Sequence, residues 1–159
     1  MNYLITFRTY GTWLHGDERG SVDARHNAPG EALFEKHGGR ERFEKSQLRG
    51  ERVSFDATQR ECVEAVIREV AAHRCWEIHA LAVQTNHVHV VVGADCAPEK
   101  VMNDFKAHAT RRLRDRVLVP LSVPIWSNHG STKYLNTPAS LIAACQYVAE
   151  NQADLSDCP

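Results

Sequence analysis

The sequence predicts an α+β sandwich in which a mostly antiparallel sheet is flanked by helices, and three observations carry that prediction. Residues 76–84 and 87–93 are two β-like runs separated only by Thr85-Asn86, the spacing of a tight hairpin. Helical periodicity brackets this hairpin, with Val63, Val66, Ile67 and Val70 before it and Val101, Met102, Phe105 and Ala109 after it. An aromatic, β-favouring run over residues 3–9 opens the chain and stops at Tyr10-Gly11.

Taken in order, residues 3–9 form a first strand. Residues 11–54 turn polar and carry Gly16, Gly20, Gly30, Gly38, Gly39 and Gly50. A structureless stretch of that length is unusual in a compact domain, so this irregular excursion is expected to hold short helical pieces or to serve binding. Residues 56–74 form a helix opened by Asp56 and Gln59, which match a capping pair, and it packs one face on the sheet. The hairpin follows. Residues 98–116 form a second helix whose polar arc gathers Lys106, Arg111 and Arg114. Pro120 and Pro124 reduce residues 119–126 to a short edge strand at best, and Ser127-Asn128-His129-Gly130-Ser131 reads as a loop. Thr137-Pro138 pairs a good N-cap with a good first helical residue, starting a last helix that runs to about Asn151. This order of elements points to a split βαβ, ferredoxin-like arrangement.

The 159 residues fit a single domain over 1–159, and 43% apolar with 25% charged residues exclude the disordered, collagen-like and membrane classes. A net charge of -1 excludes a uniformly basic protein that coats nucleic acid, so phosphate binding has to be local. Cys62, Cys75, Cys96, Cys145 and Cys158 are odd in number and contain no C-x-x-C pair, which argues against a disulfide framework or a four-ligand zinc site. The opening residues lack a signal-peptide pattern and no apolar run reaches membrane-spanning length, so a cytoplasmic location is expected.

His87-Val88-His89 is the sharpest chemical feature. In a strand, positions i and i+2 share a face, so both imidazoles point one way and can grip one divalent ion, with further ligands supplied from elsewhere. The bland counterpart is a pair of half-exposed histidines on an open sheet face. Tyr147 and Asn151 lie four residues apart on one face of the last helix, beside the apolar stripe Leu141, Cys145 and Val148. If that face packs near the histidine strand, Asn151 presents an amide oxygen to the metal and Tyr147 a phenol beside it; in isolation Tyr147 is an ordinary core-edge aromatic. A deprotonated phenol so placed can attack phosphorus while a metal polarises the phosphate. The phosphotyrosine would retain the energy of the broken diester, which agrees with the lack of a Walker-type Gly-rich loop. Lys106, Arg111 and Arg114 are candidates for DNA-backbone contacts, or simply a solvated helix face. Trp13, His15, Asp17 and His26 match no ligand spacing.

Leu81-Ala82-Val83-Gln84-Thr85-Asn86-His87-Val88-His89-Val90-Val91-Val92, followed by Tyr147-Val148-Ala149-Glu150-Asn151-Gln152, resembles the single-tyrosine HUH transposases of the IS200/IS605-like type and their REP-associated relatives. The likeness extends to residues 3–7, the basic helix and Trp126 to Ser131, and so covers most of the chain outside 11–54. It implies a ferredoxin-like domain that recognises folded single-stranded DNA and cleaves it with Mg or Mn, leaving a 5'-phosphotyrosine and a free 3'-hydroxyl. On that resemblance His87, His89 and Asn151 are metal ligands, with Glu150 and Gln152 as alternatives for the third, and Tyr147 is the nucleophile. It also implies DNA hairpins as partners and a homodimer, in which the tyrosine helix serves its own or the partner's site. Two other readings stand beside it: a domesticated, non-catalytic DNA- or RNA-hairpin-binding protein, and a small metal-dependent hydrolase that activates water.

Overall fold

The computed structural model describes residues 1–11 and 52–156, with side chains to residue 152. The excursion expected at about 11–54 lies almost wholly outside the described residues, as do Trp13, His15, Asp17, His26 and Cys158. The elements run β1 (Asn2–Thr9), α1 (Ala57–Arg74), β2 (Glu77–Val83), β3 (His87–Gly93), α2 (Pro98–Asp115), β4 (Trp126–Tyr134) and α3 (Pro138–Ser156). The four strands form one sheet in the order β2-β3-β1-β4, and every neighbouring pair is antiparallel. Strands β1 and β2 therefore run parallel with β3 inserted between them, which is the expected split βαβ arrangement extended by α3.

Alternation along β1 buries Tyr3, Ile5, Phe7 and Thr9 on one side. That side joins Val88, Val90 and Val92 of β3 and receives both α1 and α2, building the larger core around Phe7, Phe55, Ile67, Phe105 and Leu113. Helix α1 starts where the sequence indicates: the Asp56 carboxylate accepts from the Gln59 N–H at 2.8 Å, and the Gln59 side chain accepts from the Asp56 N–H at 2.8 Å. Its Val63, Val66, Ile67 and Val70 are buried as their spacing requires. The opposite side of the sheet is covered by α3, which buries Ala144 and Val148 against Ala82, Val91 and Leu135. Thr137 caps this helix by accepting from the Ser140 N–H at 3.1 Å.

Residues 126–134 correct the expectation of a loop at 127–131, because they form β4 and pair with β1 through Tyr3↔Tyr134, Ile5↔Thr132 and Phe7↔Gly130. As an edge strand, β4 is held by its backbone ladder on one side and leaves most of its side chains exposed, so its polar composition carries no strand signal. Gly130 serves close approach: a Cβ there would come within 2.5 Å of the Met102 sulfur and 2.5 Å of the Thr6 carbonyl oxygen. Among the described residues no helix is long and apolar enough to cross a membrane, and Cys62, Cys75, Cys96 and Cys145 are free thiols.

Candidate active site

The site is assembled on the sheet face that α3 covers. Full burial of Val88, Val90 and Val92 against α1 and α2 forces the intervening His87, His89 and Val91 to the other face. Register sets their neighbours, since Arg8 of β1 stands opposite His87, and Thr6 of β1 and Ala82 of β2 flank His89. The two imidazole rings are 4.7 Å apart between centroids. Seating Val148 on the sheet brings the preceding residue to the same spot: the Tyr147 ring lies 5.3 Å from the His89 ring, edge-on, within one chain.

Tyr147 remains 48% exposed, so its phenol is reachable from solvent, whereas His89 is 6% exposed. Asn151 sits one turn further along α3, and its side-chain amide donates to the Tyr147 carbonyl at 2.8 Å. The Gln84 side-chain amide, at the start of the β2–β3 turn, donates to the Asn151 carbonyl and ties the helix to the hairpin that carries the histidines.

Electrostatics keep both rings neutral at neutral pH. Burial pushes His89 down to about 4, with further contributions from His87 and the Arg8 guanidinium. Burial, then Arg8, lowers His87. Neutral imidazole is the form that coordinates metals. Each ring also has its Nδ1 engaged, His89 with the Thr6 hydroxyl at 2.8 Å and His87 with the Asn86 side-chain oxygen at 2.6 Å. Nε2 of each ring is thus the atom that could donate to a cation.

The basic residues read from α2 lie on the other side of the sheet and do not join this site. They also do not form one solvated arc. Lys106 is buried, with its ammonium donating to the Ser127 and His129 carbonyls at 2.9 and 3.4 Å and lying 5.8 Å from the centre of the Phe7 ring. Burial accordingly lowers its pKa. Arg111 is exposed, and Arg114 donates to the Val123 carbonyl at 3.4 Å. Arg111 and Arg114, with Lys106 at the base, border an open groove of about 620 Å³ that also includes Trp126 and Leu121.

Four site neighbours were not legible as such in the sequence: Thr6, Arg8, Gln84 and Asn86. Thr6 and Arg8 stand out by their period-two spacing on β1, but only the register shows that they face the histidines. Gln84 reads as the last residue of a strand and Asn86 as a turn residue, and only the three-dimensional path of the hairpin gives their side chains other roles.

A sequence profile of the family described as Transposase IS200 like matches residues 49–150, a span that includes both histidines and Tyr147 and stops just before Asn151. Among solved structures, the chain is similar to a REP-associated tyrosine transposase bound to a REP hairpin, at 13% identity and a TM-score of 0.54, over 97% of this chain and 67% of that one. It is also similar to a protein of Deinococcus radiodurans R1 that bears the name of a transposase, at 15% identity and a TM-score of 0.50, over 95% of this chain and 90% of that one. At such identities the likeness is one of fold. No curated protein matches the chain.

Proposed function

The chain belongs to the IS200-like transposase family, and from that premise we propose that it is a metal-dependent single-stranded DNA endonuclease and strand transferase acting on DNA hairpins, with Tyr147 as nucleophile. One observation carries this reading: the phenol ring stands 5.3 Å from the ring of His89, which is itself 4.7 Å from the ring of His87. A pure hairpin binder has no need of that convergence.

The donor set fits a hydrated divalent ion. His87 and His89 offer one Nε2 each and Asn151 one amide oxygen, while among the described residues no three His, Cys, Asp or Glu side chains converge. Few protein donors leave room for retained waters and a phosphate oxygen, as Mg and Mn require, and two nitrogens move the preference towards Mn. Such an ion, when bound, neutralises charge on the scissile phosphate and polarises it.

The chain's own groups do the rest. Tyr147 surrenders its phenolic proton to solvent, and its oxygen forms a bond to phosphorus as the bond from phosphorus to the 3'-oxygen breaks. The departing 3'-oxygen takes up a proton, leaving a 5'-phosphotyrosine and a free 3'-hydroxyl. A 3'-hydroxyl of another end can then displace Tyr147, restoring a diester without a nucleotide cofactor. The exposed position of Tyr147 supports access by a single strand, and Arg111 and Arg114, which line the groove beside α2, are the proposed phosphate contacts. A neighbour of the same fold bound to a REP hairpin supports hairpin DNA as the substrate class. A homodimer, as the family resemblance implies, is part of the proposal.

Incubation of the purified protein with a labelled DNA hairpin carrying single-stranded flanks, with and without Mn, tests this reading. Mn-dependent release of a 3'-hydroxyl fragment is expected for wild type, and loss of cleavage by at least about 100-fold for His87→Ala and for His89→Ala. Equal cleavage by wild type and both variants contradicts the assigned metal site.

A further inference from the structure

We infer that Thr6 and Asn86 are positioning residues for the divalent ion, each fixing the tautomer and rotation of one histidine so that its Nε2 lone pair is offered to the metal. The inference rests on the metal-dependent reading above and extends it to residues that neither the family profile nor the histidine pattern singles out. Residue 6 lies outside the matched span altogether.

The chemistry at His87 is directional. The Asn86 side-chain oxygen can only accept, so the 2.6 Å contact places the ring proton on Nδ1 of His87. A neutral imidazole carries one such proton, and its Nε2 is therefore bare. At His89 the Thr6 hydroxyl, 2.8 Å from Nδ1, can accept in the same way, leaving Nε2 bare on the second ring. Outer partners of this kind orient metal-binding histidines and raise their basicity.

Neither residue is required by its place in the chain. A two-residue hairpin usually selects Asn because it tolerates positive φ. Here, among the described non-glycine residues, positive φ occurs only at Cys75 and Val117, so Asn86 is not held in that conformation. The turn is anchored through the main chain instead: the Asn86 carbonyl accepts from the Thr9 N–H at 2.9 Å and from the Thr9 hydroxyl at 3.2 Å. The Asn86 side chain is thereby left to His87. Thr6 lies on a central strand between His89 and Ser131, where a valine of the same shape would satisfy the sheet equally well. What valine lacks is the hydroxyl.

Titration of the full-length, metal-free chain with Mn, following free Mn by electron paramagnetic resonance, tests the inference. Thr6→Val and Asn86→Ala are each expected to weaken Mn binding by about 10- to 100-fold. Thr6→Ser and Asn86→Asp keep an acceptor oxygen and are expected to stay within a few-fold of wild type. Wild-type affinity in both Thr6→Val and Asn86→Ala overturns the positioning role while leaving the metal site intact. A wild-type protein that takes up no Mn overturns the metal-dependent reading and this inference together. Nitrogen-15 spectra of the metal-free wild-type imidazoles give a second readout that needs no variant. Both rings should carry the proton on Nδ1, and predominant Nε2 protonation overturns the inference.

Discussion

At the scale of single residues, the pairing of His87 with Arg8 across the β1–β3 ladder has a measurable consequence. The guanidinium adds to burial in holding both imidazoles below their ordinary range. Removing that charge in Arg8→Gln should raise both titration midpoints, because a protonated imidazole no longer faces a like charge. Carbon-edited NMR of the metal-free protein checks this, and midpoints identical to wild type would remove Arg8 from the site's electrostatics. The histidines themselves were readable because a strand has period two, and Tyr147 with Asn151 because a helix has period 3.6. The approach of Tyr147 to His89 was not readable, since it depends on how α3 is seated by Ala144 and Val148. Lys106 was misread for a related reason: a lysine at a helical polar position normally reaches water, but here the approach of β4 offers its ammonium two carbonyls and a Phe7 face instead.

At the scale of elements, α1, the β2–β3 hairpin and α2 follow from strong local signals in capping, periodicity and proline placement. Strand β4 does not. Its Ser, Asn, His and Gly residues have low strand propensity, and its identity is conferred by pairing with β1. Gly130 is the position where this pairing is most sensitive. Placing a methyl group there forces it against the Thr6 carbonyl oxygen, which is fixed in the sheet, and against Met102, which is buried on the inner face of α2. Gly130→Ala should destabilise the fold by about 1–3 kcal/mol in denaturant unfolding, the usual range for overpacking. An unchanged unfolding midpoint would contradict the register of β4 on β1.

At the scale of the whole molecule, the sheet separates two tasks. One face carries the large core and, at its margin, the groove bordered by Arg111 and Arg114. The other carries the histidines, closed over by a helix that brings Tyr147 from the far end of the same polypeptide. The overall order of strands and helices was legible because each crossover follows the split βαβ pattern, whereas residues 12–51 offered no periodic signal to read. A site completed within one chain makes a specific prediction for a mixture of Tyr147→Phe and His89→Ala proteins. Neither protomer contains a whole site, so the mixture should form no covalent DNA adduct, and recovery of adduct would show that the tyrosine is delivered across an assembly. Most direct of all is to incubate wild-type protein with hairpin DNA and Mn, digest it, and locate the attached nucleotide by mass spectrometry. The modification should fall on the peptide bearing Tyr147, joined through a 5'-phosphate and absent from Tyr147→Phe. Attachment at a different residue, or adduct formation undiminished in Tyr147→Phe, would contradict the assignment of this phenol as the nucleophile.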